Sequence, residues 1–216
     1  MNLLAHALIA NATLTDTSGQ EVTGALMADY FSGQDLADYP QGIRSGIEQH
    51  RAVDAFTDYH PVFMSCRAAV AMEGAPRFTS GILTDIFWDH VLASEWETWG
   101  RRSSGMHLGQ FCDTVYEKLA RAKSWHSPAF SQAYAWIAGQ SWMATYADLE
   151  GIERTLAGIS LRMSGQIHLG DCTGILQRLD RTLRHGFAAF WPELLAFSRD
   201  WARSHPVPVE ASVGEQ

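Results

Sequence analysis

The stretch from His50 to Pro61, HRAVDAFTDYHP, places His50, Asp54 and Asp58 at intervals of four residues. In a helix these three positions lie within about 80° of one another, so their side chains can converge beside one face. Apolar residues lie between them, which indicates that part of this face points inward, where unpaired carboxylates are costly. The pattern predicts a helix that carries a metal site, and a solvated polar stripe is the alternative.

The rest of the chain has the same helical spacing of apolar residues and little strand-like alternation, which predicts an all-helical protein. We expect one helical domain over residues 1–204 and a disordered tail over residues 205–216. A linker is expected at GRRSSG, residues 100–105, Pro61 either kinks a helix or begins one, and Pro192 can bend the last helix. The predicted helices are Asn2–Ala12, Thr23–Phe31 (ended by Gly33), Pro40–Tyr59, Thr79–Trp99, Gln110–Lys123, one beginning at Pro128, one beginning near Asp148, and Thr173–Ser204.

Composition excludes several classes of protein. The 216 residues carry a formal charge of -8, which argues against a broad nucleic-acid surface. Three cysteines lie far apart, so neither a disulfide framework nor a thiolate zinc site is indicated, and a cytoplasmic setting is expected. The apolar start, MNLLAHALIANATL, lacks a basic leader and is too short to span a bilayer, so we interpret it as a core helix and expect no membrane association.

A second polar cluster lies in TDIFWDHVL, where Asp85, Asp89 and His90 are surrounded by strong hydrophobes. A satisfied core network and a metal site explain this cluster equally well. Two helices that each bring Asp and His at ligand spacing favour the metal site, because helical bundles build metal centres from facing helices. His6 and Asp29 are single polar residues in short apolar helices, where a core histidine and a capping or paired aspartate are the alternatives.

Carboxylates combined with imidazoles suit Mn²⁺ first, and Mg²⁺, Fe²⁺ or Zn²⁺ are also compatible. Such an ion lowers the pKa of bound water and neutralises charge on a phosphoryl oxygen. The residues therefore favour phosphoester hydrolysis.

Five blocks of the sequence resemble, in order and approximate spacing, the acyl carrier protein phosphodiesterase family. The blocks are MNLLAHALIA, TGALMADYFSG, GIEQHRAVDAFTD, DIFWDHVL and WMATYADLEGIERTLAGISLR, between Met1 and Arg162. The resemblance implies a helical bundle distantly related to HD-domain phosphohydrolases. It also implies an Mn²⁺-dependent enzyme that removes 4′-phosphopantetheine from holo acyl carrier protein. HD enzymes use an adjacent His-Asp pair, whereas this chain has Asp89 followed by His90, which leaves the ligand set open.

The matching blocks carry the candidate site residues. These are, for metal binding, His6, His50, Asp54, Asp85 and Asp89; for catalysis, Asp29, Asp58 and His90; and for phosphate binding, Arg51 and Arg162. Within that set, Asp58 could orient the attacking water, His90 or His6 could protonate the leaving alkoxide, and either arginine could instead hold an aspartate. A basic region with Arg101, Arg102, Arg121 and Lys123 is the expected docking surface for an acidic carrier, with a solvated basic stretch as the alternative.

Two other functions are compatible with the same residues. One is a phosphohydrolase of a nucleotide or another small phosphodiester, which would use the same metal face with a different pocket. The other is a non-catalytic helical binding module, in which the His and Asp residues form buried networks.

Overall fold

The structure, a computed structural model, describes residues 2–14, 18–31, 36–139, 142–162 and 168–206, and of residues 136–139 and 162 it describes the backbone alone. These ranges contain eleven α-helices and no strand, so the predicted all-helical fold is confirmed. The helices are α1 (Leu3–Thr13), α2 (Gln20–Met27), α3 (Gln41–Tyr59), α4 (Pro61–Met72), α5 (Ser80–Ser94), α6 (Gly100–Ser104), α7 (Leu108–Arg121), α8 (Pro128–Gly139), α9 (Trp142–Thr145), α10 (Leu149–Arg162) and α11 (Thr173–Ser204). Short 3₁₀ turns occur at Ala28–Tyr30, Leu36–Asp38, Lys123–Trp125 and Gly170–Cys172.

Most predicted helices occur within a few residues of their expected bounds. The second helix begins earlier, at Gln20, and tightens into a 3₁₀ turn at Ala28, while Gly33 lies outside the described residues. Pro61 begins α4 rather than kinking α3, because proline fits the first turn of a helix. The preceding residue, His60, caps α4 by accepting a hydrogen bond from the Val62 N–H through its Nδ1, over 3.3 Å.

The prediction of a linker at residues 100–105 is wrong, because Gly100–Ser104 forms α6. The helix before it ends at Ser94 instead of Trp99. Trp96 is buried and donates a hydrogen bond from its indole Nε1 to the Met106 carbonyl oxygen over 2.9 Å, which folds this segment back on itself. Gly105 then ends α6 with a φ of 74°, a left-handed conformation that glycine adopts without strain.

The core forms around α1, in which every side chain from Leu4 to Ala10 is buried. A helix that is apolar on all sides belongs in the interior, as its sequence predicts. Aromatic side chains from α4, α5 and α11 fill a second part of the same core, with Trp88 in edge contact with Phe63 and packed on Phe190. The imidazole of His6 is therefore buried, on a helix whose other buried side chains are all apolar.

Helices α2 and α3 cross at unusually short range through two glycines. A Cβ added at Gly24 would lie 2.1 Å from the Ile43 carbonyl oxygen, and one added at Gly46 would lie 2.1 Å from the Glu21 carbonyl oxygen. Only glycine permits this approach, since real Cβ contacts are longer. The crossing brings the turn after α2 beside the second half of α3.

Two further findings concern the end of the chain and the apolar character of the helices. Helix α11 reaches Ser204, and residues 207–216 lie outside the described residues, so the disordered tail and the exact domain bounds stay predictions. The described helices share one hydrophobic core, which confirms the predicted single-domain helical fold. Among the described helices, none combines the length and the apolar character needed to cross a bilayer.

Candidate metal centre

Three side chains from two helices meet in what we call the His-Asp cluster: His6 of α1, and His50 and Asp54 of α3. The Nε2 atom of His6 lies 3.0 Å from Oδ1 of Asp54, and the Nε2 atom of His50 lies 3.0 Å from Oδ2 of the same carboxylate. One ligand atom from each residue lies within 4.8 Å of the other two. The i, i+4 spacing predicted from the sequence thus places His50 and Asp54 together, and α1 supplies the second imidazole.

The two imidazole rings are stacked, with their centroids 3.8 Å apart and their planes 18° from parallel. Both rings direct Nε2 at Asp54, and the buried Nδ1 of His50 has no hydrogen-bond partner among the described residues. Around a six-coordinate ion with bonds of about 2.1 Å, neighbouring ligand atoms lie about 3 Å apart. The distances between imidazole nitrogen and carboxylate oxygen have this length, so the cluster fits a divalent cation.

Asp29 adds a second carboxylate on the solvent side of the cluster. It lies in the 3₁₀ turn after α2, and its Oδ1 is 3.2 Å from Nε2 of His50. Its side chain is 70 % exposed, compared with 5 % for His50. The glycine crossing of α2 and α3 explains this position, because Asp29 follows α2 directly and His50 lies one turn after Gly46. Asp29 was predicted as a catalytic residue, and the structure brings it into contact with a candidate ligand.

The protonation states of the cluster follow from burial and mutual contact. Burial alone would lower the pKa of His50, but its hydrogen bonds to Asp29 and Asp54 outweigh burial and raise that pKa to about 9. Burial and the charge of His50 lower the pKa of His6 to about 4. The pKa of Asp29 is lowered, chiefly by its hydrogen bond to His50, and the two imidazoles hold the pKa of Asp54 below its ordinary range against the effect of burial. At neutral pH one proton, on His50, therefore lies between two carboxylates, a place that a cation can take.

Asp89 of α5, a predicted metal ligand, accepts hydrogen bonds from the start of α1. Its two carboxylate oxygens accept hydrogen bonds from the backbone N–H groups of Leu4, over 2.8 Å, and Ala5, over 3.1 Å. These are orphan donors of the first turn of α1, and Asn2 at the N-cap makes no side-chain bond to them. Burial raises the pKa of Asp89 to about 7, against the effect of the two bonds. Asp89 thus caps α1 and positions His6, and it lies outside the His-Asp cluster.

Asp85 and His90 also lie outside the cluster. Asp85 is partly buried one turn before Asp89, and burial raises its pKa, with a smaller contribution from the charge of Asp54. His90 donates a hydrogen bond from Nδ1 to the Tyr146 carbonyl oxygen over 2.8 Å, and burial lowers its pKa. The sequence could not show that these residues lie outside the cluster, because helical spacing does not indicate which neighbouring helix a side chain contacts.

Of the three residues predicted to bind phosphate or to orient water, two are exposed to solvent. Asp58 and Arg51 are both exposed on α3, next to or near the cluster residues of that helix. The side chain of Arg162 lies outside the described residues.

The four basic docking candidates are all exposed and lie on separate elements, so the docking surface stays a prediction. Arg101 and Arg102 lie on α6, before α7 begins, whereas Arg121 and Lys123 lie at or after its end. The 14 residues of α7 span about 20 Å. Some of the charge is also paired, since Arg101 forms an ion pair with Glu97 and Arg121 forms one with Glu117.

A cavity of about 530 Å³ opens beside the cluster, and Asp29 forms part of its wall. The cavity is also lined by residues on or beside α1, α8, α9 and α10, among them Trp142 and Tyr146. Sequence reasoning did not single out these two aromatic residues. They lie in the block WMATYADLEG, which carries no catalytic spacing.

The described helices bring together two imidazoles and two carboxylates, so the protein is a helical protein with a candidate site for a divalent cation. The sequence model of the family described as acyl carrier protein phosphodiesterase matches residues 1–194. The chain belongs to the acyl carrier protein phosphodiesterase family, and it is an enzyme of that type.

Curated relatives give the same result. The acyl carrier protein phosphodiesterase of Serratia proteamaculans is 28% identical over 200 residues, which cover 93% of this chain and 98% of the relative. The protein of the same name from Photorhabdus laumondii is 30% identical over 191 residues, which cover 88% and 90%. The one from Yersinia pestis is 30% identical over 202 residues, which cover 90% and 96%. No solved structure matches the chain significantly.

Proposed function

We propose that this protein is a phosphodiesterase that depends on a divalent metal ion and removes 4′-phosphopantetheine from the serine of holo acyl carrier protein. The products are apo carrier protein and free 4′-phosphopantetheine. The observation that carries the proposal is the His-Asp cluster, with Asp29 beside it, in a chain whose family and relatives are named for this carrier.

The residues that would hold the metal are His6, His50 and Asp54, with Asp29 as a further oxygen donor. Mn²⁺ is our first choice because it accepts both imidazole and carboxylate ligands, and Mg²⁺ or Fe²⁺ are compatible with the same donors. When bound, the ion supplies activation of water and neutralisation of charge on the phosphoryl oxygens.

The chain's own residues arrange the reaction around that ion. Water loses one proton and adds its oxygen to phosphorus, the bond from phosphorus to the serine oxygen breaks, and the serine oxygen takes up one proton, so no net proton is gained or lost. We assign Asp58 to orient the water, because it is an exposed carboxylate one turn beyond Asp54. Arg51 is the exposed cation beside His50, and its planar guanidinium suits a phosphate oxygen pair. His90 is better placed to hold the Tyr146 carbonyl than to donate the proton, since burial lowers its pKa.

The setting and the partner follow from the same proposal. All three cysteines are free and buried, which supports a reducing, cytoplasmic environment. An acidic carrier would meet the basic residues of α6 at one end of α7 or those at its other end, and the charge reversal described in the Discussion tests the first of these.

Incubation of the purified protein with holo carrier and Mn²⁺ tests the proposal directly. Mass spectrometry should show the carrier losing one phosphopantetheine group, a chelator should stop this loss, and added Mn²⁺ should restore it. An unchanged carrier mass, or a loss that persists after the metal is removed, would contradict the proposal.

A further inference from the structure

We propose that the cavity beside Asp29 binds the pantetheine part of the substrate, an extended, uncharged chain with amide groups, while the carrier protein stays outside. This assignment rests on the proposed function and extends it from the metal cluster to recognition of the arm. Four features of the cavity carry it: its position, its size, its charge and a hydroxyl group in its wall.

The position places one end of a bound ligand at the cluster. Asp29 lines the cavity, and its Oδ1 lies 3.2 Å from Nε2 of His50. A phosphodiester at Asp29 can therefore have one substituent in the cavity and the other in solvent. The volume of about 530 Å³ is that of a small-molecule site, and a single turn of a protein helix, about 10–12 Å wide and about 5.4 Å long, would already fill it. The cavity thus suits the arm and not the protein.

The charge of the wall separates the arm from a nucleotide. Among the described lining residues, Asp29 is the only one with a charged side chain. A polyphosphate group buried there would find no cation among these described residues to pair with, which is costly. Apolar groups from Ala133, Trp142 and Ile159 form much of the surface instead. An uncharged chain with apolar segments fits this wall better than a polyanion does.

A hydroxyl group supplies a donor in this wall. The Tyr146 hydroxyl oxygen accepts hydrogen bonds from Nε1 of Trp142 over 3.1 Å and from Nδ2 of Asn2 over 3.3 Å. These two bonds use both lone pairs of a hydroxyl group, so its own hydrogen is left to donate. Tyr146 is buried, where a hydroxyl hydrogen without an acceptor is costly, and no described residue accepts a hydrogen bond from it. The carbonyl oxygen of an amide in the arm is a suitable acceptor.

Blocking the cavity tests this assignment. Ala133→Trp on α8 places an indole in the cavity, whereas Ala135→Trp, on the same helix, changes an exposed residue that does not line it. The measurements are kcat/KM for release of phosphopantetheine from holo carrier, binding of pantetheine alone by ligand-detected NMR, and the rise in melting temperature with Mn²⁺. Pantetheine has no phosphate, so its binding reports on the cavity and not on the metal.

We expect Ala133→Trp to lower kcat/KM by about tenfold or more, because binding of remote parts of a substrate also lowers the barrier. It should lose pantetheine binding and keep the Mn²⁺ effect on melting, while Ala135→Trp behaves as wild type. If circular dichroism shows Ala133→Trp to be unfolded, Gln132→Trp on the exposed rim takes its place.

The outcomes separate the two proposals. If wild type releases phosphopantetheine and the blocked variant does so at the same rate, the cavity assignment is overturned and the proposed function stands. If wild type is inactive on holo carrier but binds pantetheine, and the blocked variant does not bind it, the cavity is a pantetheine site and the proposed function fails. Absence of both activity and pantetheine binding in wild type overturns both.

Discussion

Replacing Gly46 with alanine tests whether the crossing of α2 and α3 holds Asp29 against His50. The new Cβ would lie 2.1 Å from the Glu21 carbonyl oxygen and 2.7 Å from the Ala25 nitrogen, whereas ordinary contacts begin at 3.4 Å. Both neighbours are backbone atoms, which cannot rotate away as a side chain can. The two helices must therefore move apart by about 1 Å.

This displacement has an expected cost and a functional consequence. Overpacking of this kind costs about 1–3 kcal/mol, and the better helix propensity of alanine returns up to about 1 kcal/mol. We therefore expect a net loss on the order of 1–2 kcal/mol in the free energy of unfolding. The distance from Asp29 to His50, now 3.2 Å, would exceed the range of a hydrogen bond, so turnover and metal-dependent stabilisation should both fall.

Denaturant unfolding with and without Mn²⁺ measures both effects. Gly109→Ala on α7 is the matched control, because a Cβ there meets nothing within 4 Å. That control should gain up to about 1 kcal/mol and keep the metal effect. If Gly46→Ala is as stable as the control and keeps the full metal effect, the crossing does not position the site.

Three further predictions address the capping residue, the proton of the cluster and the docking surface. Asp89→Asn leaves one N–H of the first turn of α1 without an acceptor, so unfolding measurements should show a loss of about 1–3 kcal/mol both with and without Mn²⁺; loss of the metal effect at unchanged stability would instead make Asp89 a ligand. Each Mn²⁺ bound at pH 7 should displace about one proton, because the pKa of His50 is about 9 without metal, and the affinity for Mn²⁺ should rise with pH up to that value. Calorimetry in two buffers of different ionisation enthalpy measures the number of protons released. Zero release would remove His50 from the ligand set. Reversal of Arg101 and Arg102 to Glu should raise KM for the carrier and leave the Mn²⁺ effect on melting unchanged; the same KM at low salt would remove α6 from the docking surface.

The sequence predicts the helices well because apolar spacing controls which faces are buried. It fails at α6, where a glycine and serine segment with two arginines has no apolar stripe of its own. That helix forms because buried Trp96 before it and Gly105 after it fix the path of the chain. Such tertiary contacts leave no periodic signal.

The site is predictable only where its residues share a helix. His50 and Asp54 follow from their spacing on α3, whereas the approach of His6 and Asp29 depends on how α1 and α2 pack against that helix. Asp89 shows the opposite case. Its place among hydrophobes indicates a buried carboxylate with partners, but only the structure shows that these partners are backbone N–H groups of α1.

The melting temperature of wild type and Asp54→Asn, each with and without excess Mn²⁺, tests the central claim that the His-Asp cluster holds a metal ion. Free ligand at about 100 times its dissociation constant stabilises the native state by about 2.7 kcal/mol, so wild type should melt clearly higher with Mn²⁺. Asp54→Asn removes the carboxylate that both imidazoles share, so it should lose most of this increment, whatever its stability without metal. No increment in wild type, or an equal increment in Asp54→Asn, would contradict the account.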